Sequence, residues 1–294
     1  MRDFILGTDW WTDCDDAVAV RLLARAVRRG EVGLLGVGIN ACMADSVASM
    51  DGFLRKEGLV DVPLGIDLAG TDFGGQPPYQ KRLSRYAVRY HQNEEAEDAV
   101  RLYRRLLAQA KEKVEIVEIG FLQVIAGVLQ SEADEVSDKN GMELVREKVE
   151  RMWVMAGKWD GEGERENNFC RNARASTAAE AFCRLCPVPV TFLGWEVGID
   201  VLTGGHLLPG DVLGDVLRDH GSVGGRHSWD PMLMLLALIG DTQRAGYDVV
   251  RGWARVDADT GANFFQRDAQ GRHQFVVKAH ENAFYSEAIN ALIG

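Results

Sequence analysis

Short apolar segments alternate with segments of helical periodicity along most of the chain. Residues 4–7 are apolar, as in a buried strand, and residues 16–29 repeat apolar side chains on one helix face. The same alternation predicts strands at residues 32–39, 62–66, 114–119, 151–156, 188–193 and 275–277. It predicts helices at residues 45–56, 97–113, 122–129, 176–184, 231–239 and 282–292. This pattern favours an α/β fold, in which a mostly parallel central sheet carries helices on both faces.

Two irregular segments interrupt the alternation. Residues 69–96 form a long polar stretch, which predicts either a lid over a site or a disordered loop. Residues 197–229 are rich in glycine and are predicted to be irregular and to form one wall of a pocket. Because no linker, internal repeat or low-complexity tract is found, residues 1–294 are predicted to form a single domain.

The charge balance restricts the class of partner. The chain has 33 lysine and arginine residues against 44 aspartate and glutamate residues, a formal net charge of −11. Such a chain repels nucleic acids and anionic membranes, so neither is expected as a partner. No secretory leader and no apolar stretch of membrane-spanning length is found, and the five cysteines are scattered. These features predict a cytoplasmic protein with reduced thiols.

Four carboxylates lie within eight residues directly after the first predicted strand: Asp9, Asp13, Asp15 and Asp16. One or two of them could cap the following helix, but four repel one another unless a cation neutralises them. Oxygen ligands at this density favour calcium or magnesium over zinc. An EF-hand starting at Asp13 is excluded, because Val18 and Ala24 occupy the positions of its required glycine and glutamate.

Other polar residues follow later predicted strands or open a helix: Asn40, Gln123, Glu166, Asn168 and Asp230. Each alone has a purely structural interpretation; Asn40 could form a turn, and Asp230 could cap the helix that begins with Pro231. In parallel sheets, however, ligands bind beyond the carboxyl ends of the strands. The sequence therefore places acids and amides together on one rim of the predicted sheet.

The segment from Asp9 to Ala17, Asp-Trp-Trp-Thr-Asp-Cys-Asp-Asp-Ala, resembles the aspartate-rich first loop of the inosine–uridine-preferring nucleoside hydrolases. It matches the longer variant of that loop, Asp-x-Gly-x-Asp-x-Asp-Asp-Ala. Weaker similarities follow in the family's order, over roughly residues 4 to 240: Gly38-Ile39-Asn40, Val62-Pro63-Leu64-Gly65, Gly120-Phe121-Leu122-Gln123, Glu166-Asn167-Asn168-Phe169 and Trp229-Asp230-Pro231. The resemblance implies the Rossmann-like nucleoside hydrolase fold.

The resemblance also implies a role for each matched residue. A Ca²⁺ ion would be bound by the carboxylates of Asp9, Asp16 and Asp230 and by the main-chain carbonyl of Gln123. Asp15 and Asn40 would hold the ribose 2′- and 3′-hydroxyls, and Glu166 and Asn168 the 5′-hydroxyl. Asp9 would be the general base that activates a calcium-bound water. Asp13, the extra acid of the longer loop, could either face the metal or cap the helix.

The implied reaction is hydrolysis of the N-glycosidic bond of ribonucleosides to ribose and free base, with purines slightly favoured. Cleavage of this bond passes through an oxocarbenium-like sugar. A site that binds the ribose hydroxyls should reject 2′-deoxyribosides by a factor on the order of 10⁴. The resemblance further implies a homodimer or homotetramer that serves purine or pyrimidine salvage.

Two departures from the family pattern concern chemistry. Gly7 stands where many members have another aspartate, and Trp229 stands where some members have a histidine that protonates the leaving base. We hypothesise that Trp229, with Trp10 or Trp11, stacks on a purine; the alternative is that Trp229 is a core aromatic residue.

Other sources of the missing proton, and other functions, are open at this point. His227 and His91 are alternative candidates for the missing acid. The missing acid and Gly7 together motivate one alternative function, a non-catalytic protein that binds a nucleoside or ribose. A second alternative is a hydrolase of an unusual or modified nucleoside.

Overall fold

The computed structural model describes residues 1–294. The strands are β1 (Arg2–Thr8), β2 (Val32–Ile39), β3 (Leu64–Ile66), β4 (Glu97–Asp98), β5 (Val114–Glu118), β6 (Val149–Met155), β7 (Glu164–Arg165), β8 (Val190–Leu193), β9 (Leu202–Thr203), β10 (Arg226–His227), β11 (Tyr247–Val256), β12 (Ala262–Arg267) and β13 (His273–Lys278). The α-helices are α1 (Asp15–Arg28), α2 (Ser46–Lys56), α3 (Gln80–Leu83), α4 (Ala99–Gln109), α5 (Gln123–Gln130), α6 (Gly141–Lys148), α7 (Asn167–Cys170), α8 (Ala173–Leu185), α9 (Trp195–Gly198), α10 (Val212–His220), α11 (Trp229–Ile239) and α12 (Asn282–Ile293).

Eleven of the strands form one sheet, in the order β4-β3-β2-β1-β5-β6-β8-β13-β11-β12-β7. Every neighbouring pair from β4 to β13 is parallel. The last three strands, β11, β12 and β7, pair antiparallel. The predicted mostly parallel sheet is thus confirmed, whereas the antiparallel extension was not predicted. β9 and β10 form a separate two-stranded sheet.

Helices cover both faces of the sheet, as predicted. Alternate side chains of a strand point to opposite faces, and β1 illustrates this. Phe4 and Leu6 belong to a cluster of 45 buried residues that includes α1, α2, α11 and α12. Ile5 belongs to a cluster of 31 buried residues that includes α4, α5, α6 and α8. The two cores leave only the strand ends and connecting loops free to form a site.

Both segments that were predicted to be irregular contain ordered structure. Residues 69–96 include α3 and the short 3₁₀ helices Ser84–Tyr86 and Asn93–Glu95. Residues 197–229 include β9, α10 and β10. The apolar periodicity of α10 extends over few residues and lies among glycines, so the sequence did not predict this helix.

None of the helices is both long enough and apolar enough to cross a lipid bilayer. The five cysteines are all free thiols.

Candidate functional site

A cavity of about 330 Å³ lies at the carboxyl ends of the parallel strands β1, β5, β6 and β8. This is the edge at which ligands bind in open α/β sheets. The lining residues come from the loops after these strands, from the region of α7 and from the start of α11: Asp9, Trp11, Thr12, Asp13, Asp15, Asp16, Ile119, Met155, Glu166, Asn167, Asn168, Arg171, Trp195, Trp229 and Asp230. The cavity size is within the range of small-molecule sites.

Three buried carboxylates form a compact group on one side of the cavity. Ligand oxygens of Asp15, Asp16 and Asp230 all lie within 4.8 Å of one another. Asp15 and Asp16 open α1 and Asp230 opens α11, so both helix dipoles favour the negative charges. The main-chain N–H of Asp230 donates to Oδ2 of Asp15 at 3.1 Å and joins the two helix starts. No lysine or arginine forms a salt bridge with any of the three.

Burial and mutual repulsion disfavour the ionised form of these three carboxyl groups. Burial, followed by the charges of neighbouring aspartates, raises the pKa values of Asp15 and Asp230 well above the ordinary range. Burial also raises the pKa of Asp16 to about 7, although the Thr8 hydroxyl donates to its carboxylate. A divalent cation among three such oxygens would neutralise the repulsion. The carboxylate group therefore fits a metal ion with hard oxygen ligands.

Asp9 lines the same cavity, but it lies outside the compact group. It is buried, and its pKa is raised by burial and then by the charges of Asp16 and Asp15. The resemblance assigned Asp9, Asp16 and Asp230 to the metal. The structure brings Asp16 and Asp230 together as expected, but the third member of the compact group is Asp15.

Asn40 is fully buried and does not line the cavity. Its Oδ1 accepts a hydrogen bond from the main-chain N–H of Phe121 at 3.1 Å, and its Nδ2 has no partner. A Cβ at Gly120 would lie 2.3 Å from the nitrogen of Asp9 and 2.9 Å from Oδ1 of Asn40. Only glycine therefore permits these two strand-end residues to approach β5 so closely.

Gln123 also lies outside the cavity lining. It begins α5, and its side-chain amide donates to the main-chain oxygen of Asn40 and, at 3.3 Å, to Oδ2 of Asp67. The structure therefore uses this side chain to fasten the loop after β2.

Gly7 of β1 stands where many members of the resembled family have an aspartate, and a buried carboxyl group is found beside it on the neighbouring strand β5. Gly7 pairs with Glu118 of β5, and a Cβ at Gly7 would lie 1.8 Å from Oε2 of Glu118. Glu118 is fully buried, and burial raises its pKa to about 8. The Tyr103 hydroxyl donates to Oε1 at 3.2 Å, whereas Oε2 has no partner. Because Gly7 has no side chain, the carboxyl group of Glu118 occupies the space beside it. The sequence did not predict this contact.

Glu166 and Asn168 line the cavity, as the resemblance implied. Glu166 caps α7: its Oε1 accepts from the main-chain N–H of Asn168, and its Oε2 from that of Gly157, both at 2.9 Å. The side-chain amide of Asn168 donates to the carbonyl of Met155 at 2.9 Å. These bonds fix both side chains at the end of β6.

Asp13 lines the cavity but is neutralised by an arginine. Its carboxylate accepts from Arg226 at 2.7 and 2.5 Å and from the main-chain N–H of Cys14 at 2.7 Å. Asp13 therefore differs from the compact group in having its own cation. Its bond to Cys14 lies outside α1, and no side chain caps the start of that helix, so the capping role considered for Asp13 is not seen.

The two adjacent tryptophans of the acidic loop have separate roles. Trp10 is fully buried, packs on Phe53 and Tyr79 at ring-centroid distances of 5.4 and 5.5 Å, and donates to the Ser49 hydroxyl at 2.8 Å. The hypothesis that Trp10 stacks on a base is therefore wrong. Its φ of 44° lies in the left-handed region, which is strained for a tryptophan and turns Trp11 toward the cavity.

Trp229 lines the cavity together with Trp195, and their rings stack at 6.4 Å with an interplanar angle of 27°. The indole N–H of Trp229 donates to the main-chain oxygen of Trp195 at 2.7 Å. The guanidinium of Arg226 lies 5.4 Å from the Trp229 ring centroid. Trp229 is only partly buried, so it is not a sealed core residue.

Neither histidine considered as an acid lines the cavity. His227 lies in β10, 5.4 Å from the ring of Trp229, and its buried Nδ1 has no partner. His91 is exposed, and its main-chain N–H donates to Glu95 at 2.6 Å. The prediction that His91 reaches the base from a lid is therefore wrong.

The segment predicted as a lid is fastened over the acidic loop. Phe73 stacks on Phe121 at 3.9 Å, and its carbonyl accepts two hydrogen bonds from Arg171. The Tyr79 hydroxyl lies 2.8 Å from the main-chain oxygens of both Trp11 and Asp13. The segment is therefore ordered and packed against the acidic loop, but none of its residues lines the cavity.

Several lining residues were not predicted: Met155, Asn167, Arg171 and Trp195. Met155 and Trp195 end or follow a predicted strand, so the strand-end rule could have included them. Arg171 had no signal, because it is one exposed arginine among many in the sequence.

The whole chain resembles solved structures that include nucleoside hydrolases and an effector protein. A plant nucleoside hydrolase has a TM-score of 0.73 and 14% identity, over 99% of this chain and 98% of its own. The inosine–uridine-preferring nucleoside hydrolase from Bacillus anthracis has a TM-score of 0.67 and 16% identity, over 100% and 99%. The type III effector protein XopQ, solved with adenosine diphosphate ribose, has a TM-score of 0.72 and 16% identity, over 99% and 93%.

No protein-family model matches the sequence. No curated protein matches it either. The structural comparisons nevertheless establish that the chain has the nucleoside hydrolase fold, as the resemblance implied.

Proposed function

We propose that this protein hydrolyses the N-glycosidic bond of ribonucleosides, releasing ribose and a free base. The observation that carries the proposal is the group formed by Asp15, Asp16 and Asp230, three buried carboxylates without a cationic partner. They lie in a nucleoside-sized cavity at the carboxyl edge of a nucleoside hydrolase fold. Such a cluster destabilises the fold unless it binds a cation, so its presence in the cavity favours a functional site.

We propose Ca²⁺ as the cation, with Asp15, Asp16 and Asp230 as its carboxylate ligands. Buried oxygen ligands without sulfur or imidazole suit calcium or magnesium, and the family resemblance favours calcium. When bound, the ion would lower the pKa of a water molecule and orient the ribose diol. Gln123 is left out of this ligand set because it does not line the cavity.

Asp9 is the proposed general base. It is buried beside the three ligands without belonging to their compact group, which leaves its carboxylate free to accept a proton from the attacking water. The water oxygen would bond to C1′ as the bond from C1′ to the base breaks. Base catalysis of this kind contributes roughly 10²–10⁴-fold in rate.

The remaining lining residues are proposed to orient the substrate. Glu166 and Asn168, held at the end of β6, would contact the 5′-hydroxyl. Asp15 would contact the ribose hydroxyls as well as the metal. Asn40 would act through the loop it holds, because its own side chain lies behind the cavity wall. The face of Trp229 would contact the base.

Release of free base from inosine, guanosine, uridine and cytidine tests the proposal, with 2′-deoxy analogues as negative controls. We expect turnover with Ca²⁺, its loss in EGTA and its return when Ca²⁺ is added. Asp230→Asn should lower both Ca²⁺ affinity and kcat/KM at least 100-fold. Asp13→Asn is the matched control, because the Asp13 carboxylate already has Arg226 as its partner. Its effect should stay below tenfold.

The outcome that contradicts the proposal is nucleoside binding without any turnover, even of p-nitrophenyl riboside, whose leaving group needs no protonation. That result would favour a non-catalytic nucleoside-binding protein instead. The further expectations of a homodimer or homotetramer, a cytoplasmic location and a role in salvage are proposed from the resemblance. Light scattering coupled to size-exclusion chromatography tests the oligomer.

A further inference from the structure

The cavity contains many acids but no conventional proton donor for a leaving base. Its ionisable lining residues are six carboxyl groups and one guanidinium: Asp9, Asp13, Asp15, Asp16, Glu166, Asp230 and Arg171. No histidine, tyrosine, lysine or cysteine lines it. A guanidinium does not lose its proton in proteins, so Arg171 is not a general acid. Any proton would have to come from a carboxyl group.

The carboxyl groups are already engaged in other ways. The aspartates of the compact group are the proposed ligands of the cation, and the Asp13 carboxylate is paired with Arg226. Burial raises the pKa of Glu166 to about 7, but each of its oxygens accepts a main-chain N–H, from Asn168 and from Gly157, so both oxygens are already bound at the end of β6. Asp9, the sixth, is the proposed base that accepts a proton from the attacking water, so each lining carboxyl group already has another partner or role.

An indole N–H can only donate a hydrogen bond and does not transfer its proton, and two of the three lining tryptophans already use theirs. Trp11 donates its N–H to the carbonyl of Gly74 at 2.6 Å, and Trp229 donates its N–H to the carbonyl of Trp195 at 2.7 Å. Neither indole N–H is free to hydrogen-bond to a departing base. A neutral base such as hypoxanthine would have to leave as an anion, which is a poor leaving group in an acidic cavity.

The same tryptophans already stabilise positive charge. The guanidinium of Arg171 lies 4.6 Å from the ring centroid of Trp11, and that of Arg226 lies 5.4 Å from the ring centroid of Trp229. Contacts of this type contribute about 0.5–2 kcal/mol. The cavity thus combines aromatic faces with many carboxylates. Such surroundings favour a cationic ligand over a neutral one.

We infer that the preferred substrates are ribosides whose base is positively charged before cleavage, such as N-ribosylpyridiniums and 7-alkylpurine ribosides. This inference rests on the proposed function. The bond from C1′ to the ring nitrogen breaks, and its electron pair neutralises the charged ring. The water oxygen bonds to C1′, and the water gives one proton to Asp9. The base leaves neutral without receiving a proton, so the cavity needs no acid.

The sharpest test compares 7-methylguanosine with guanosine, which differ only by one methyl group and one charge. The full chain is assayed with Ca²⁺ by chromatography of the released base, and N-ribosylnicotinamide is compared with inosine in parallel. We expect kcat/KM to be at least 100-fold higher for each charged member. Equal or lower values for the charged members overturn the inference.

Two further measurements separate the possible failures. If p-nitrophenyl riboside is hydrolysed but charge gives no advantage, this inference fails while the proposed function stands. If no riboside is hydrolysed, both fail. Trp229→His places a proton donor beside the base, so it should raise kcat for guanosine and reduce the preference for 7-methylguanosine at least tenfold. An unchanged preference in a folded Trp229→His variant that still hydrolyses p-nitrophenyl riboside contradicts the inference.

Discussion

Replacement of Glu118 by glutamine should remove a large pH dependence from the stability of this protein. The carboxyl of Glu118 is fully buried against Gly7, and burial raises its pKa from 4.5 to about 8. Between these two pH values, Glu118 therefore keeps its proton in the folded chain and has released it in the unfolded chain. Because the folded state binds more protons, the free energy of unfolding falls as the pH rises through this range.

The magnitude follows from the width of the range. At about 1.36 kcal/mol per pH unit, the loss is on the order of 3–5 kcal/mol between pH 4.5 and pH 8. It should be absent below pH 4.5 and complete above pH 8. Glu118→Gln has nearly the same shape but does not titrate, so wild type should lose stability relative to the variant as the pH rises.

Denaturant unfolding at pH 5 to 9, in chelator and followed by tryptophan fluorescence, measures this difference. The contributions of the other titrating groups cancel in the difference between wild type and variant, because both proteins contain them. Asp134→Asn is the matched control: its hydrogen bond with Arg104 lowers the pKa of Asp134 to about 2, so its effect should not change over this range. A wild-type-minus-Glu118→Gln difference that stays within about 1 kcal/mol from pH 5 to 9 would refute the reasoning.

Three further changes test the site. Gly120→Ala should destabilise the fold by about 1–3 kcal/mol and lower kcat, because its Cβ collides with Asp9 and Asn40; unchanged melting contradicts this. Asp9→Asn should lower kcat by roughly 10²–10⁴-fold but Ca²⁺ affinity less than tenfold by calorimetry; equal losses would make Asp9 a ligand. Arg226→Gln leaves Asp13 without a cation. The melting temperature in chelator should fall and the stabilisation by added Ca²⁺ should increase; the opposite changes contradict the role of Arg226.

The sequence predicted the sheet because its signals are local. A buried parallel strand such as β2 is a continuous apolar run, and α1 repeats its apolar residues at helical spacing. The antiparallel strands β11 and β12 lack such a run, since exposed and buried residues mix along them. They were therefore missed, although their pairing completes one edge of the sheet.

The sequence by itself determined that acids gather after the first strand, and the family resemblance added Asp230 to them. Only the tertiary structure decided which acids meet, since distances between α1 and α11 depend on how the helices pack. It made Asp15 the neighbour of Asp16 and Asp230, and it gave Asp13 an arginine. Contacts between distant segments have no periodicity, and they alone decide which carboxylates need a metal ion.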